Sequence, residues 1–68
     1  MSQNEEIERL LTIAKETKNL KIVNHIIFNL AAYGPKSIGA INEIINDQTE
    51  NQVRIYGRET IRRIKEHG

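Results

Sequence analysis

A chain of 68 residues with no cysteine and a formal charge of +1 has neither a disulfide framework nor a thiolate metal site. It is expected to form one domain, near the lower size limit at which an apolar core outweighs chain entropy, so marginal stability or oligomerisation is expected. The lack of cysteine fits a cytoplasmic setting, and an isoelectric point of 8.1 falls below the range above about 9 common among nucleic-acid-binding domains.

The opening segment MSQNEEIERLL is polar and acidic, without a basic stretch followed by an apolar run, so no signal peptide is expected. Ile7, Leu10, Leu11 and Ala14 recur at helical spacing behind a Ser2 or Asn4 cap, which predicts a first helix over 4–17. Thr17, Lys18 and Asn19 form a turn.

A second helix is predicted over 20–33, ended by Gly34, which can adopt the left-handed cap, and by Pro35, which cannot continue the ladder. Its apolar positions Leu20, Ile22, Val23, Ile26, Ile27, Leu30, Ala31 and Tyr33 cover about half the wheel, more than the stripe of about 100° on a surface helix. This helix is therefore expected at the centre, with Phe28 off its main face. Asn24, His25 and Asn29 interrupt it, so no transmembrane span is expected.

Pro35 suits the first turn of a third helix running to Asn46, with Ile38, Ile41, Ile44 and Ile45 on one face. After Asp47-Gln48, Thr49 and Gln52 have capping-box spacing. A fourth helix follows to Glu66, directing Val53, Tyr56, Gly57, Thr60, Ile61 and Ile64 to the core. Gly57 in mid-helix costs about 1 kcal/mol relative to Ala, which a close helix crossing would explain.

A shift of 34 residues superposes Ile7 on Ile41, Leu10 on Ile44, Leu11 on Ile45, Ile27 on Ile61, Leu30 on Ile64 and Gly34 on Gly68. The chain thus divides into a unit over 4–34 and a second over 35–68, with a one-residue slip where Leu20-Lys21 meets Val53-Arg54. Ile38, Ile41, Ile44, Ile45 and Asp47, followed by Val53, Arg54, Gly57, Ile61 and Ile64, resemble the HEAT-like repeat family. The unit of that family is an antiparallel helix pair with Asp in the turn and a second helix opening with Val-Arg. The resemblance is good over 35–67 and weaker over 4–33, where Asn24 takes the small position and the turn lacks Asp. It implies an all-α fold of four helices in two stacked antiparallel hairpins. The tetratricopeptide pattern of aromatic and Gly-Tyr residues is missing. Two units are fewer than the three or so that make a stable stack, which leaves either a compact four-helix domain or self-association through 20–33.

Arg54, Arg58, Arg62 and Lys65 share one strip of the fourth helix, beside its apolar face. Guanidinium groups in a row suit carboxylates or phosphates, so the strip can receive an acidic protein partner or a nucleic-acid backbone. The competing reading is an ordinary solvated face, with Glu59 and Glu66 pairing to Arg63 and Arg62. The resemblance implies that second helices line a concave partner-binding surface, and that Asp47 and Arg54 form a scaffold pair.

His25 and His67 belong to no metal-binding motif. His25 reads as a surface residue, and His67 sits in the last turn, where cations suit the helix end. Tyr33 beside Gly34, Pro35 and Lys36 is one aromatic and no stacking platform. The serines and threonines lack a His and carboxylate arrangement, and the glycines form no phosphate cradle, so neither catalysis nor a cofactor is expected. The sequence favours a non-catalytic protein-interaction module. A nucleic-acid-binding helical domain and a scaffold subunit of a larger assembly are the alternatives.

Overall fold

A computed structural model describes residues 3–67. It contains α1 (Gln3–Glu16), α2 (Leu20–Ala31), α3 (Ile38–Asp47) and α4 (Asn51–His67), with a three-ten turn over Gly34–Ser37 and no strand among the described residues. The chain is all-α. Ser2, one of the two cap candidates, and Gly68, which the 34-residue shift sets on Gly34, lie outside the described residues.

Local chemistry sets most of the helix ends. Asn19 has extended backbone angles, and its Oδ1 accepts the Lys21 N–H at 3.0 Å, satisfying a donor of the first turn of α2. Gly34 has φ of 73°, the left-handed geometry expected of it, which an L side chain enters only with strain. The preceding helix closes at Ala31 rather than Tyr33, with Ala32 and Tyr33 in the turn.

The third helix departs from expectation. Pro35 opens a three-ten turn and the α-helix begins only at Ile38, whose N–H bonds to the Pro35 carbonyl in the shorter i to i+3 register. Ser37, fully buried, donates its hydroxyl to the Gly34 carbonyl at 2.8 Å. Such local bonding competes with the α-helical ladder. The Thr49–Gln52 capping box also does not form: α4 opens at Asn51, beyond Thr49, and the Arg54 N–H bonds to the Glu50 carbonyl.

Ile7, Leu11 and Ala14 of α1, Val23, Ile26, Ile27 and Leu30 of α2, Ile41, Ile44 and Ile45 of α3, and Val53, Ile61 and Ile64 of α4 form a single core. Both α2 and α3 pack against α1, against α4 and against each other, so the central position expected for α2 is shared with α3. The radius of gyration of 10.8 Å matches the value of about 11 Å for a compact domain of this length, which makes the four helices one body.

Gly57 of α4 packs directly against Ile45 of α3. A Cβ added there would stand 2.6 Å from Cγ1 and 2.8 Å from Cδ1 of Ile45, closer than carbon atoms pack. The burial pattern also repeats at 34 residues in the later helices: Val23, Ile26, Ile27 and Leu30 are buried, as are Gly57, Thr60, Ile61 and Ile64.

Candidate functional site

The four residues of the basic strip occupy α4 unequally. Arg58, Arg62 and Lys65 are exposed and Arg54 is half-buried. Arg62 is committed within its own helix, donating from Nη2 to Glu59 Oε2 at 2.8 Å and pairing through Nη1 with Glu66 Oε1 at 3.5 Å. The hydrogen bond and charge of Arg62 hold the Glu59 carboxyl below the ordinary range, while Glu59, and more weakly Glu66, raise the guanidinium of Arg62. Glu59 therefore pairs with Arg62 and not with Arg63. Asp47 ends α3 and Arg54 lies in the first turn of α4, with no hydrogen bond or ion pair between their side chains.

Successive helical residues are separated by about 100°, which splits the polar surface of α4 into two flanks. The buried stripe of Val53, Gly57, Thr60, Ile61 and Ile64 separates Arg54, Arg58 and Lys65 on one side from Tyr56, Arg63 and His67 on the other. Gly57 faces α3. Tyr56, Arg63 and His67 look instead towards α2, where they line a cleft of about 360 Å³ whose far wall includes Phe28 and Ala31. The strip thus lies on the flank of α4 turned away from α2.

A second hollow, of about 300 Å³, shares Tyr56, Thr60 and Arg63 with this cleft and extends it along α4 to Ile55. Phe28 is 64% exposed and Ile55 59% exposed, the two most solvent-facing large apolar side chains among the described residues. Two such residues beside an open apolar cleft form a patch that water solvates poorly. From the sequence Phe28 is expected off the main face of α2, in support of self-association, Tyr56 is expected in the core and Arg63 lies outside the strip. The missed signal was their phase: Phe28 on α2 and Tyr56 with Arg63 on α4 fall on the flanks that the helix pairing turns towards each other.

Charge is segregated by helix. Together α1 and α3 hold six carboxylates, Glu5, Glu6, Glu8, Glu16, Glu43 and Asp47, against two cations, Arg9 and Lys15. The proportions reverse in α2 and α4, where Lys21, Arg54, Arg58, Arg62, Arg63 and Lys65 face Glu59 and Glu66. Lys15 and Glu43 join α1 to α3 at 3.4 Å, and Arg63 forms no ion pair among the described residues.

No family model, curated protein or solved structure matches the chain. Its chemistry is read from its own residues.

Three hydroxyl groups are spent on backbone carbonyls: Thr12 on Glu8 at 2.9 Å, Ser37 on Gly34 and Thr60 on Tyr56 at 2.8 Å each. Among the described residues no group of three His, Asp or Glu side chains converges as a metal site, and no helix is long and apolar enough to cross a membrane. The Oδ1 of Asn24 is buried without a hydrogen-bond partner.

Proposed function

We propose that this chain is a small HEAT-like module of two stacked antiparallel hairpins, α1–α2 and α3–α4, which binds a protein partner through α4 and performs no catalysis. Three-residue connections over 17–19 and 48–50 favour antiparallel neighbours within each pair. Packing of α1 beside α3 and of α2 beside α4 supports the stacking of one hairpin on the other. The burial register repeated at 34 residues supports the kinship of the two units.

The observation that carries the binding reading is the basic excess of α4, presented on a helix whose opposite face is wholly buried. Among the described residues Arg54, Arg58 and Lys65 have no ion-pair partner, so their charge is available to an acidic surface. Cations placed this way raise association rates and set orientation more than they add affinity. Affinity capture from the source cell tests this reading. The wild-type chain is expected to retain a partner that the Arg54→Glu, Arg58→Glu, Lys65→Glu variant loses while keeping its helical spectrum. Equal retention by both proteins refutes it.

The same row of unpaired cations supports nucleic-acid binding as the second reading. That reading predicts retention on DNA or RNA, with a log affinity against log salt slope that flattens by about one per phosphate-contacting cation removed. No retention at about 50 mM salt removes it. Self-association through 20–33 draws support from the exposed Ile22 of α2. It predicts a mass that rises with concentration, and a constant 7.8 kDa in sedimentation excludes it.

A further inference from the structure

We infer that the cleft between α2 and α4 seats an acidic amphipathic helix, with a bulky apolar side chain of that helix inserted between Phe28 and Tyr56 and a carboxylate beside it engaged by Arg63. This rests on the reading of the chain as a partner-binding module, and it relocates the energetic centre from the basic strip to the opposite flank of α4.

Four observations converge on this occupant. The cleft, at about 360 Å³, exceeds the volume of a single large side chain and is open to solvent along α4, where the hollow of about 300 Å³ continues it. Its walls are mainly apolar, and Phe28 and Ile55 stand exposed beside it. Aromatic side chains in a desolvated pocket are the usual anchors of an interface. Arg63, on the rim of both hollows, forms no ion pair among the described residues, and a guanidinium above an apolar floor is well placed to take a carboxylate in two parallel hydrogen bonds. Arg63 and Glu59 are the Arg and carboxylate on the walls of the two hollows, and Glu59 is taken by Arg62, which leaves the guanidinium of Arg63 open to a ligand.

Dimension argues for a helix. The two longer extents of the molecule are 27 Å each, and at about 1.5 Å per residue a helix of roughly 18 residues crosses that span. Apolar groups at i, i+3 or i+4, and i+7 would then meet the cleft and its extension, the ordinary pattern of helix-in-groove recognition. A second copy of this chain is a poorer occupant. Two-fold pairing through the cleft would press Arg63 and its flank of α4 on the same flank of the other copy. A nucleic-acid strand would leave Ile55, Ile64 and Ala31 against its sugars, with one unpaired arginine in the cleft to hold phosphates.

A display library of random peptides of about 18 residues, panned against the full chain, tests this. The enriched pool is expected to be net acidic, with large apolar residues at helical spacing. Its affinity is expected to fall about tenfold with Phe28→Ser, Ile55→Ser or Arg63→Glu, the scale of one buried anchor. With Arg58→Glu or Lys65→Glu alone it should move by no more than about twofold, as for a single exposed charge. All five positions are exposed, so circular dichroism of each variant should retain the wild-type spectrum.

A neutral or basic pool overturns the inference, as does failure to enrich any peptide. Binding that falls with Arg58→Glu and Lys65→Glu but not with Phe28→Ser also sinks it, while leaving the partner-binding reading of α4 intact. A single-stranded RNA oligomer that outcompetes the peptides and depends on Phe28 would assign the cleft to nucleic acid and overturn it too.

Discussion

Replacing Gly57 with Ala sets two effects of known sign against each other. In the interior of α4 the substitution gains helix propensity worth about 1 kcal/mol. The new methyl, however, would lie 2.6 Å from Ile45 Cγ1, 2.8 Å from Ile45 Cδ1 and 3.7 Å from Ile41 Cγ2. Comfortable carbon contacts begin near about 3.5 Å, so the first separation falls short by roughly 1 Å. Rotation about χ2 can withdraw Cδ1 but not Cγ1, and χ1 of a β-branched residue in a helix is nearly fixed. Ile45 is buried as well, so the relief must come from moving α3 and α4 apart, an overpacking strain of about 2–3 kcal/mol. The net expectation is a loss of about 1–2 kcal/mol. At about 2.1 cal/mol/K per residue the unfolding entropy of this chain is roughly 0.14 kcal/mol/K, which converts the loss to a fall of about 7–14 °C in Tm. Thermal melts followed by far-ultraviolet circular dichroism measure it. Gly39→Ala is the control: it is exposed in α3 with no neighbouring atom within 4 Å, so only propensity acts and Tm should rise by about 7 °C. Adding Ile45→Ala to Gly57→Ala should cost at least about 1 kcal/mol less than the separate losses combined, because the smaller side chain admits the methyl. If Gly57→Ala raises Tm as Gly39→Ala does, the tight crossing of α3 and α4 is wrong.

Ile27→Ala and Ile41→Ala, both at fully buried positions, should each remove about 3–4 kcal/mol. Against a total of about 3–10 kcal/mol for a domain of this size, either leaves a substantial unfolded fraction, visible in a urea titration. Asn24→Leu, which removes the buried unpartnered Oδ1, should stabilise by about 1 kcal/mol, and a lowered urea midpoint would contradict that cost. Because Arg62 lowers the folded-state pKa of Glu59, the pair favours the folded state above the ordinary glutamate pKa of about 4.3. That contribution is lost as pH falls through the lowered folded value. Carboxyl NMR titration should place the Glu59 midpoint below that measured in Arg62→Gln, and identical midpoints would dismiss the pair.

The helices themselves were legible because their apolar residues recur at intervals of three and four, and that periodicity tracks burial through Ile7, Leu11, Val23, Ile27, Ile41, Ile45, Ile61 and Ile64. Gly34 was legible too, since few residues tolerate its geometry. What failed depended on competition among nearly equal local options. The Pro35 segment satisfies both a three-ten turn and an α-helix, and the bond from the buried Ser37 hydroxyl to Gly34 sides with the turn. Thr49 and Gln52 have capping spacing, yet α4 starts at Asn51 and leaves Thr49 outside the helix. The cleft was hidden for a different reason: Phe28, Ile55, Tyr56 and Arg63 come from two helices, and their adjacency depends on how α2 and α4 are rotated against each other, which spacing along one helix does not reveal. The strip was visible because all four of its residues lie on α4, but its position on the far flank from α2 was not.

The division of charge between α1 with α3 and α2 with α4 makes the molecule strongly dipolar even though its net charge is small. An ion-exchange resin responds to the patch facing it rather than to the total. At low ionic strength, cation-exchange media should adsorb the protein by α2 and α4, and anion-exchange media by α1 and α3. Near any highly charged macromolecular surface the domain will adopt one preferred orientation as it approaches, losing that alignment once salt shortens the screening length to about 8 Å.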